Sequence, residues 1–445
     1  MAELTPVPNA GPITGASGIR VRMYRVGFGD FFLLSLKSGV DTEHILIDCG
    51  VHAKPTSSIE AAIAQMKEDT GGKLALIIMT HRHADHISGF AKGAETFKTF
   101  QVGRVWMPWF EDPTNASAVK IQSGITAVAR QLQTAFAASA KKADEQFSSM
   151  AGNILGFDVA GRSSNDIALS VLHNGFANSP SDVAYLKAGD TAPLPDALTK
   201  IGLTAQILGP PIDPALIRQM DDQNHQYLGE IESGLDAADN TSPLFGGRFN
   251  SDGSAYDDRS FGSGGLKGVQ TKIAKVQPDV MRAIAQRADN TLNNQSVVVL
   301  FEFNGKKLLF AGDAQWGNWQ HMLFGGVFGS PGHTAITEEA KAILKSIDFY
   351  KVGHHGSTNA TPIDALDAMR QGVVAMCSTA EGAYGSEKNN SEVPRIPLMD
   401  ALKAKTGGKL ARSDQAPLPN EKSCADALNP VFTIPTGQLF IDYHF

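Results

Sequence analysis

Hydrophobic and polar positions alternate along the chain in a way that predicts strands and helices in succession. Strand-type alternation or short apolar runs occur at 20–26, 31–36 and 43–48. Apolar residues at helical spacing follow at 58–68, and an uninterrupted apolar run at 74–79 predicts a buried strand. Strands that alternate with helices are typical of an α/β protein, whose ligands collect at the carboxyl ends of the strands.

Similar patterns continue to the end of the chain. Further strands are predicted at 104–110, 165–172, 182–187, 202–208, 296–303, 307–311, 349–352, 373–378 and 438–443. Further helices are predicted near 337–345, 362–370 and 397–405. The sequence shows no internal repeat, so the pattern favours a layered α/β core over a repeat architecture.

Two segments and the beginning of the chain differ from this pattern. Residues 115–154 are rich in Ala, Gln and Lys, which predicts one long helix or a helical pair. The stretch 212–290 combines helical spacing with many turn-forming residues, and residues 1–19 are rich in Pro, Gly and small side chains. We therefore expect a flexible tail at 1–19 and a single domain at 20–445 with insertions at about 112–160 and 212–290.

Composition narrows the class of protein. The 445 residues are 42% hydrophobic and 19% charged, which is typical of a globular chain. The net charge of -7 excludes a surface that binds nucleic acid broadly and without specificity. Three widely separated cysteines without a CxxC pair give neither a disulfide framework nor a thiolate metal site. With no secretory signal and no apolar run of about 18 residues, we expect a cytoplasmic protein without a membrane partner.

The strongest chemical signal follows the predicted strand 74–79. There the chain carries the pattern HxHxDH, with His81, His83, Asp85 and His86 within six residues. In an extended or loop backbone His81 and His83 point to the same side, so both imidazoles can bind one metal ion. The alternative is a histidine-rich surface loop, but the pattern arises by chance far less often than a single histidine does.

Other predicted strands also end in metal-ligand side chains. Asp313 follows a strand and can bridge two cations through its two oxygens, although Gly-Asp by itself is more often only a turn. His354 and His355 follow another strand, and adjacent residues point to opposite sides of an extended backbone, so we expect one to bind metal and the other to face substrate. Asp48 ends a strand where its carboxylate could orient a metal-bound histidine.

Taken together, these motifs resemble those of the metallo-β-lactamase fold superfamily. ILIDCG, THRHADH, LLFAGD and YKVGHHGS match four of its five metal-site motifs in order. Within the superfamily, VGFGD at 26–30, NNQSVV at 293–298 and VGHHGS are most similar to the metallo-hydrolase domain of bacterial competence (DNA-uptake) proteins and their stand-alone relatives. The similarity covers roughly 20–110 and 290–380 and implies an αββα four-layer sandwich.

The resemblance also implies a metal centre with two divalent ions, zinc or alternatively manganese or iron. Its ligands would be His81, His83, Asp85, His86, Asp313 and His354. The sequence leaves open whether His355 takes the place of His354. Members of the superfamily commonly supply another histidine to the first metal; the strand at 202–208 is followed by no histidine, and His173 is the remaining candidate.

The implied activity is hydrolysis by a metal-bound hydroxide, with an anionic small molecule or a nucleic-acid-like phosphodiester as substrate. Asp85 would hold the nucleophile, Asp48 would support the ligands, and His355 and Ser357 would contact the substrate or protonate the leaving group. Alternatives are hydrolysis of an ester, lactone, lactam or thioester, and a non-catalytic metal-binding module.

The residues at the pocket mouth should discriminate between these substrates. Lys or Arg at the mouth would favour phosphate, and an aromatic mouth would favour neutral acyl compounds. The candidates from the sequence are Arg82, Lys351, Trp106, Trp109 and Phe110.

Overall fold

The computed structural model describes residues 13, 15–123, 164–219, 222, 225–227, 291–385, 387, 391–415, 428–434 and 439–445. Its strands are β1 Ser17–Tyr24, β2 Phe31–Ser38, β3 Asp41–Cys49, β4 Lys73–Ile78, β5 Gln101–Pro108, β6 Val183–Leu186, β7 Thr204–Gly209, β8 Val298–Phe303, β9 Lys306–Phe310, β10 Phe349–Lys351, β11 Val374–Cys377, β12 Leu410–Arg412, β13 Phe432–Thr433 and β14 Phe440–His444. Its α-helices are α1 Ile59–Thr70, α2 Ala84–Lys92, α3 Ala94–Phe97, α4 Ser164–Asn174, α5 Asp196–Lys200, α6 Pro214–Ile217, α7 Trp316–Phe324, α8 Glu338–Ser346, α9 Ile363–Ala368 and α10 Ile396–Thr406.

Across these described ranges the strands form two mixed sheets. One has the strand order β13-β14-β1-β2-β3-β4-β5-β6, and the other has the order β12-β11-β10-β9-β8-β7. In the first sheet β3, β4, β5 and β6 run parallel, and in the second β9, β10, β11 and β12 run parallel. Parallel strands place their carboxyl ends at one edge, so each sheet gathers several strand ends together.

The two sheets pack face to face, and helices cover their outer faces. Phe32 and Leu76 of the first sheet share a core cluster with Phe301 and Phe310 of the second. The neighbouring residue Leu309 points to the opposite face and packs in another cluster with the helices, as the two-residue period of a strand requires. A third cluster joins the outer face of the first sheet to α1, α2 and α4.

This layer order confirms the predicted fold class, an α/β protein built as an αββα four-layer sandwich. Most predicted elements lie within a few residues of the observed ones. The segment predicted as a strand at 165–172 is wrong, because it lies in helix α4. Its buried residues Ala168, Val171 and Leu172 recur at helical spacing and pack against the first sheet.

The predicted insertions and the predicted N-terminal tail concern residues that the structure mostly does not describe. The insertions at about 112–160 and 212–290, including the helix predicted at 115–154, lie mostly outside them, as does most of the predicted tail at 1–19. Strand β1 begins at Ser17, so the last residues assigned to the tail belong to the first sheet. Within the ranges described, no helix is both long enough and apolar enough to cross a membrane.

Candidate metal centre

Strand ends from both sheets meet at one buried site. Asp48 lies near the end of β3, and the HxHxDH residues follow β4 in the first sheet. Asp313 follows β9, and His354 and His355 follow β10 in the second. Gly312 makes this meeting possible: its φ is +53°, and a Cβ there would lie 2.9 Å from the Cβ atoms of both Thr80 and Ser296.

The HxHxDH motif spans a change from loop to helix. His83 is the residue immediately before α2, and it makes no side-chain hydrogen bond to cap the helix. Asp85 and His86 therefore lie in the first turn of α2, where their side chains project toward the strand ends. Both are buried, as are His81 and His83.

Four side chains form the centre of the site. Asp85, His86, Asp313 and His355 each place one ligand atom within 4.8 Å of the others. Nε2 of His86 lies 3.0 Å from Oδ2 of Asp313, and Nε2 of His355 lies 3.2 Å from Oδ2 of Asp85 and 3.5 Å from Oδ2 of Asp313. Asp313 thus lies against both imidazoles, that of His86 from the first sheet and that of His355 from its own sheet.

The predicted supporting carboxylate, Asp48, lies directly behind this group. Its Oδ2 is 2.7 Å from Nδ1 of His86, and its two oxygens accept hydrogen bonds from the backbone N–H and the hydroxyl of Thr80. Because a carboxylate only accepts, His86 donates from Nδ1 and turns Nε2 toward Asp313. Asp48 itself has a φ of +53°, an uncommon conformation that marks a constrained position.

His81 and His83 form a second pair beside the four-residue group. Nε2 of His81 lies 2.9 Å from Nδ1 of His83, and the centroid of the His81 ring is 4.1 Å from that of His86. On the other side of the His81 ring, Nδ1 approaches the hydroxyls of Thr80 at 3.2 Å and Ser296 at 3.4 Å. The motif residues are therefore contiguous in space.

His354 and His355 lie in different surroundings, although they are adjacent in the chain. The backbone there is not extended: both residues have positive φ, 42° and 51°, in a 3-10 turn. His355 is buried in the four-residue group and donates from Nδ1 to the carbonyl of Ser378 at 2.9 Å. His354 is partly exposed, and its Nδ1 lies 2.9 Å from Oδ1 of Asn359 and 2.7 Å from the hydroxyl of Ser357. Of the two histidines that the sequence left open, His355 is the one that lies in the four-residue group.

His173, the candidate for an additional ligand, is not brought to the site. It lies near the end of α4, where Nδ1 is 2.7 Å from the carbonyl of Leu169 and Nε2 is 2.9 Å from the hydroxyl of Tyr185. The opposite end of α4 is the one near the site, since Asn165 donates to the carbonyl of Arg82. About two turns of helix separate the two ends.

Two ion pairs that the motifs did not reveal support the site. Lys351 is buried, forms an ion pair with Asp30, and donates to the carbonyl of Gly312 at 3.0 Å. Asp30 belongs to the VGFGD motif, but its partner Lys351 lies far away in sequence, so the local pattern gives no signal of this contact. Arg82 donates from Nε to Glu111 at 2.8 Å in a pair formed by two hydrogen bonds.

The structure also shows the surroundings of the five residues that the sequence suggested for the mouth of the pocket. Arg82 and Lys351 are already neutralised by carboxylates. Trp106 is fully buried in the core between the sheets, and Trp109 donates to the carbonyl of Pro211 at 3.3 Å. Phe110 is buried as well. None of the five is an open phosphate-binding or aromatic surface.

The histidines of the site fall into two groups, one with a lowered pKa and one with a raised pKa. Burial lowers the pKa of His81 well below its usual value and lowers that of His83 to about 4. Burial alone would also lower the pKa of His86 and His355, but Asp313 and neighbouring carboxylates outweigh it and raise both. His81 and His83 are therefore neutral at pH 7, the form that binds a metal.

The carboxylates of the four-residue group are ionised. Burial alone would raise the pKa of Asp85, but the hydrogen bond from His355 and the charge on His86 hold it well below its usual value. The pKa of Asp313 is also held well below its usual value, because the charges of His86 and His355 outweigh the effect of burial. The ionised carboxylates favour the positively charged form of His86 and His355, which raises the pKa of both imidazoles.

The donor set fits a divalent cation. All of its ligand atoms are imidazole nitrogens and carboxylate oxygens, which suit zinc, manganese and iron. Nε2 of His86 is buried and makes no hydrogen bond, although Asp313 lies beside it. Asp30, Asp48 and His86 also lie close together, but there Lys351 already supplies the positive charge.

Comparison with known proteins finds no matching family model and no matching curated protein. Among solved structures, a β-lactamase domain protein from Burkholderia ambifaria is similar with a TM-score of 0.23 and 17% sequence identity. The alignment covers 46% of this chain and 51% of that one, so it spans about half of that protein's length. The interpretation of the site therefore rests on its own geometry.

Proposed function

We propose that this protein is a metal-dependent hydrolase that cleaves a phosphodiester bond in a nucleic-acid or nucleotide-like substrate. The observation that carries the proposal is the convergence of Asp85, His86, Asp313 and His355 from two sheets into one buried group. A structural role alone would not require four titratable side chains to be buried face to face, because burying charge costs free energy.

The proposed ligands fall into two adjoining sets. His81 and His83 would hold one ion, and Asp85, His86 and His355 would hold a second, with Asp313 between them. A bound divalent cation supplies Lewis acidity and lowers the pKa of water to near neutrality. Asp48 keeps His86 in the required tautomer, and Ser378 does the same for His355 through its carbonyl.

The residue that faces the substrate in this proposal is His354. Oδ1 of Asn359 only accepts, so His354 donates from Nδ1 and directs Nε2 toward Nδ2 of Asn293, 3.3 Å away. Ser357 donates to the same Asn359 oxygen at 2.8 Å, which makes it a positioning residue for His354. His354 thereby takes the substrate-contacting role that the sequence assigned to His355 and Ser357.

Neutral groups around His354 support a phosphodiester over a doubly charged phosphate monoester. Asn293, Gln315 and Asn359 approach its ring, while Lys351 and Arg82 are paired elsewhere. A diester carries a single negative charge, which a metal ion and amide donors can match without additional arginine or lysine. The similarity of VGFGD and VGHHGS to competence-type domains points to the same substrate class.

The test is a pair of assays on the metal-reconstituted protein. We expect turnover of bis(p-nitrophenyl) phosphate that is abolished by EDTA and restored by zinc or manganese. Asp313→Asn should lose this activity, while Asp348→Asn, which alters a partly buried carboxylate at the start of β10, should keep it. Turnover of a lactone or β-lactam panel without any diester turnover would overturn the proposed substrate. Full activity of Asp313→Asn would overturn the metal mechanism.

A further inference from the structure

A buried lysine lies beside the metal centre, between residues of the two sheets. Lys351 is the last residue of β10 and is 2% exposed. Its Nζ forms an ion pair with Asp30, lies 3.7 Å from Oδ1 of Asp313, and donates to the carbonyl of Gly312 at 3.0 Å. The ammonium group therefore contacts the carboxylate immediately before β2 of the first sheet and the carboxylate that follows β9 of the second.

The contact with Asp30 gives Lys351 a fixed position. The backbone N–H of Asp30 donates to the carbonyl of Asp85 at 2.8 Å, and the carbonyl of Asp30 accepts from the N–H of Gly50 at 2.9 Å. Asp30 is thereby attached to the first turn of α2 and to the residue that follows β3. The ammonium group of Lys351 is paired with a residue whose own backbone is held by the same segments that carry the site.

The contact with Asp313 concerns the orientation of its carboxylate. Oδ1 of Asp313 faces Nζ of Lys351 and accepts from the backbone N–H of His354 at 3.1 Å. Oδ2 lies 3.0 Å from Nε2 of His86 and 3.5 Å from Nε2 of His355. The last torsion of an aspartate side chain has only a broad, twofold preference, so the contacts of the two oxygens decide which of them faces the site. The chain holds Oδ1 and thereby directs Oδ2 at the candidate ligands.

Fold stability alone does not account for a charge at position 351. Burying an ion pair costs desolvation free energy, and apolar residues of similar volume often replace such a pair without loss of stability. The pairing of Lys351 with Asp30 would satisfy both charges at any buried place, but here the ammonium group also lies beside a carboxylate of the metal group. A lysine next to carboxylates stays charged at pH 7, so its action on Asp313 is electrostatic.

We propose that Lys351 is a positioning residue for Asp313, which it holds so that Oδ2 faces a bound divalent ion. The inference rests on the proposed function for the presence of that ion. Lys351 acts through the carboxylate of Asp313 and is not itself a ligand. Removing its charge would let the carboxylate turn, and the affinity of the site for metal would decrease.

Binding of Co²⁺ to the full-length protein tests this role without relying on turnover, by visible absorption and by competition with a chelator. The two variants compared are Asp30→Asn and Asp30→Asn/Lys351→Met, which share the change at position 30 and differ only in the lysine. The amide of Asp30→Asn can still accept from Lys351, so this control keeps the ammonium group beside Asp313. We expect the double variant to bind Co²⁺ at least about tenfold more weakly than the control, the usual effect of losing a partner that orients a ligand. Its absorption bands should also differ from those of the control.

The double variant separates positioning from folding, because it leaves neither Asp30 nor Lys351 as an unpaired buried charge. If it does not fold, Asp30→Asn/Lys351→Gln carries the same expectation, since glutamine keeps a hydrogen-bond donor without the charge. Equal Co²⁺ affinity and identical spectra in the two variants would overturn the role of Lys351 and leave the proposed function standing. Metal binding that depends on Lys351, without any diester turnover, would instead overturn the proposed function and leave this role standing. A wild-type protein that binds no Co²⁺ would overturn both.

Discussion

Nδ1 of His86 lies 2.7 Å from Oδ2 of Asp48, a buried carboxylate that is held in turn by the backbone and hydroxyl of Thr80. Asp48 and Thr80 lie at the ends of the parallel neighbours β3 and β4, and His86 lies in the first turn of the helix that follows β4. The orientation of His86 is therefore set by the first sheet, before any contact with Asp313 from the second.

Asp48→Asn should weaken metal binding. The amide replaces one acceptor by a donor, so it cannot accept from both Thr80 and His86 as the carboxylate does. Loss of such a supporting partner typically reduces metal affinity about 10- to 100-fold. Competition with a chromophoric chelator measures the change. The control is Asp442→Asn, which alters a buried carboxylate paired with Arg22 and should lower stability without changing metal affinity. Wild-type affinity in Asp48→Asn would contradict the role given to Asp48.

Alanine variants of the two adjacent histidines should behave differently. His355→Ala removes a member of the buried group and should lower the metal content of the purified protein. His354→Ala leaves that group intact and should keep the metal while reducing turnover by about 10²-fold or more, the usual effect of a positioned acid–base group. Elemental analysis combined with the diester assay separates the two effects. Loss of metal from His354→Ala alone would restore the assignment made from the sequence.

Breaking the pair between Arg82 and Glu111 should destabilise the fold. In Arg82→Met the Glu111 carboxylate, whose side chain is 3% exposed, loses its partner, at a cost of about 3 kcal/mol. The double variant Arg82→Met/Glu111→Leu removes both charges and should recover most of this loss. Urea unfolding gives the free energies. If the double variant is no more stable than the single one, the pair is not the source of the effect.

Acid should destabilise the protein through His44. Burial, together with the charges of Arg20 and Arg22, lowers the pKa of His44 to about 4 in the folded chain. The unfolded chain binds this proton near pH 6.5, so stability is complete above that pH and falls as the pH decreases toward 4. The loss should be about 2 kcal/mol between pH 7.5 and 4.5. Unfolding curves at both pH values, compared with those of His44→Gln, isolate this contribution. The same pH dependence in both proteins would exclude His44 as its source.

The gathering of the candidate ligand residues could be predicted, because strand ends gather at one edge of a sheet. His81, His83, Asp85 and His86 lie within a single short motif, and Asp313 follows an apolar strand, so local pattern was sufficient for their placement. The two-sheet sandwich was expected because these motifs resemble those of the metallo-β-lactamase fold superfamily.

The remaining features depend on backbone conformation and long-range contacts. His354 and His355 adopt positive φ, which the predicted extended backbone did not anticipate, and this reversed their positions. Residues 165–172 form part of helix α4 and not the predicted strand, because their buried apolar residues recur at helical spacing. The ion pair of Lys351 with Asp30 joins segments that are distant in sequence. It could not be predicted because it depends on the folded chain placing β10 beside the loop before β2.

Strand β14 pairs with β1, and residues 440–444 thereby complete the sheet that carries the HxHxDH motif. During synthesis on the ribosome, β1 has only β2 as a neighbour in this sheet until residues 440–444 have been made. Its other edge stays open for that time, and an open edge is where chains pair incorrectly with one another. The buried ion pair between Arg22 of β1 and Asp442 of β14 can form only after β14 has been made, and it then joins the two strands. The sheet that carries the HxHxDH motif is thus completed only when a strand about 420 residues further along the chain has been made.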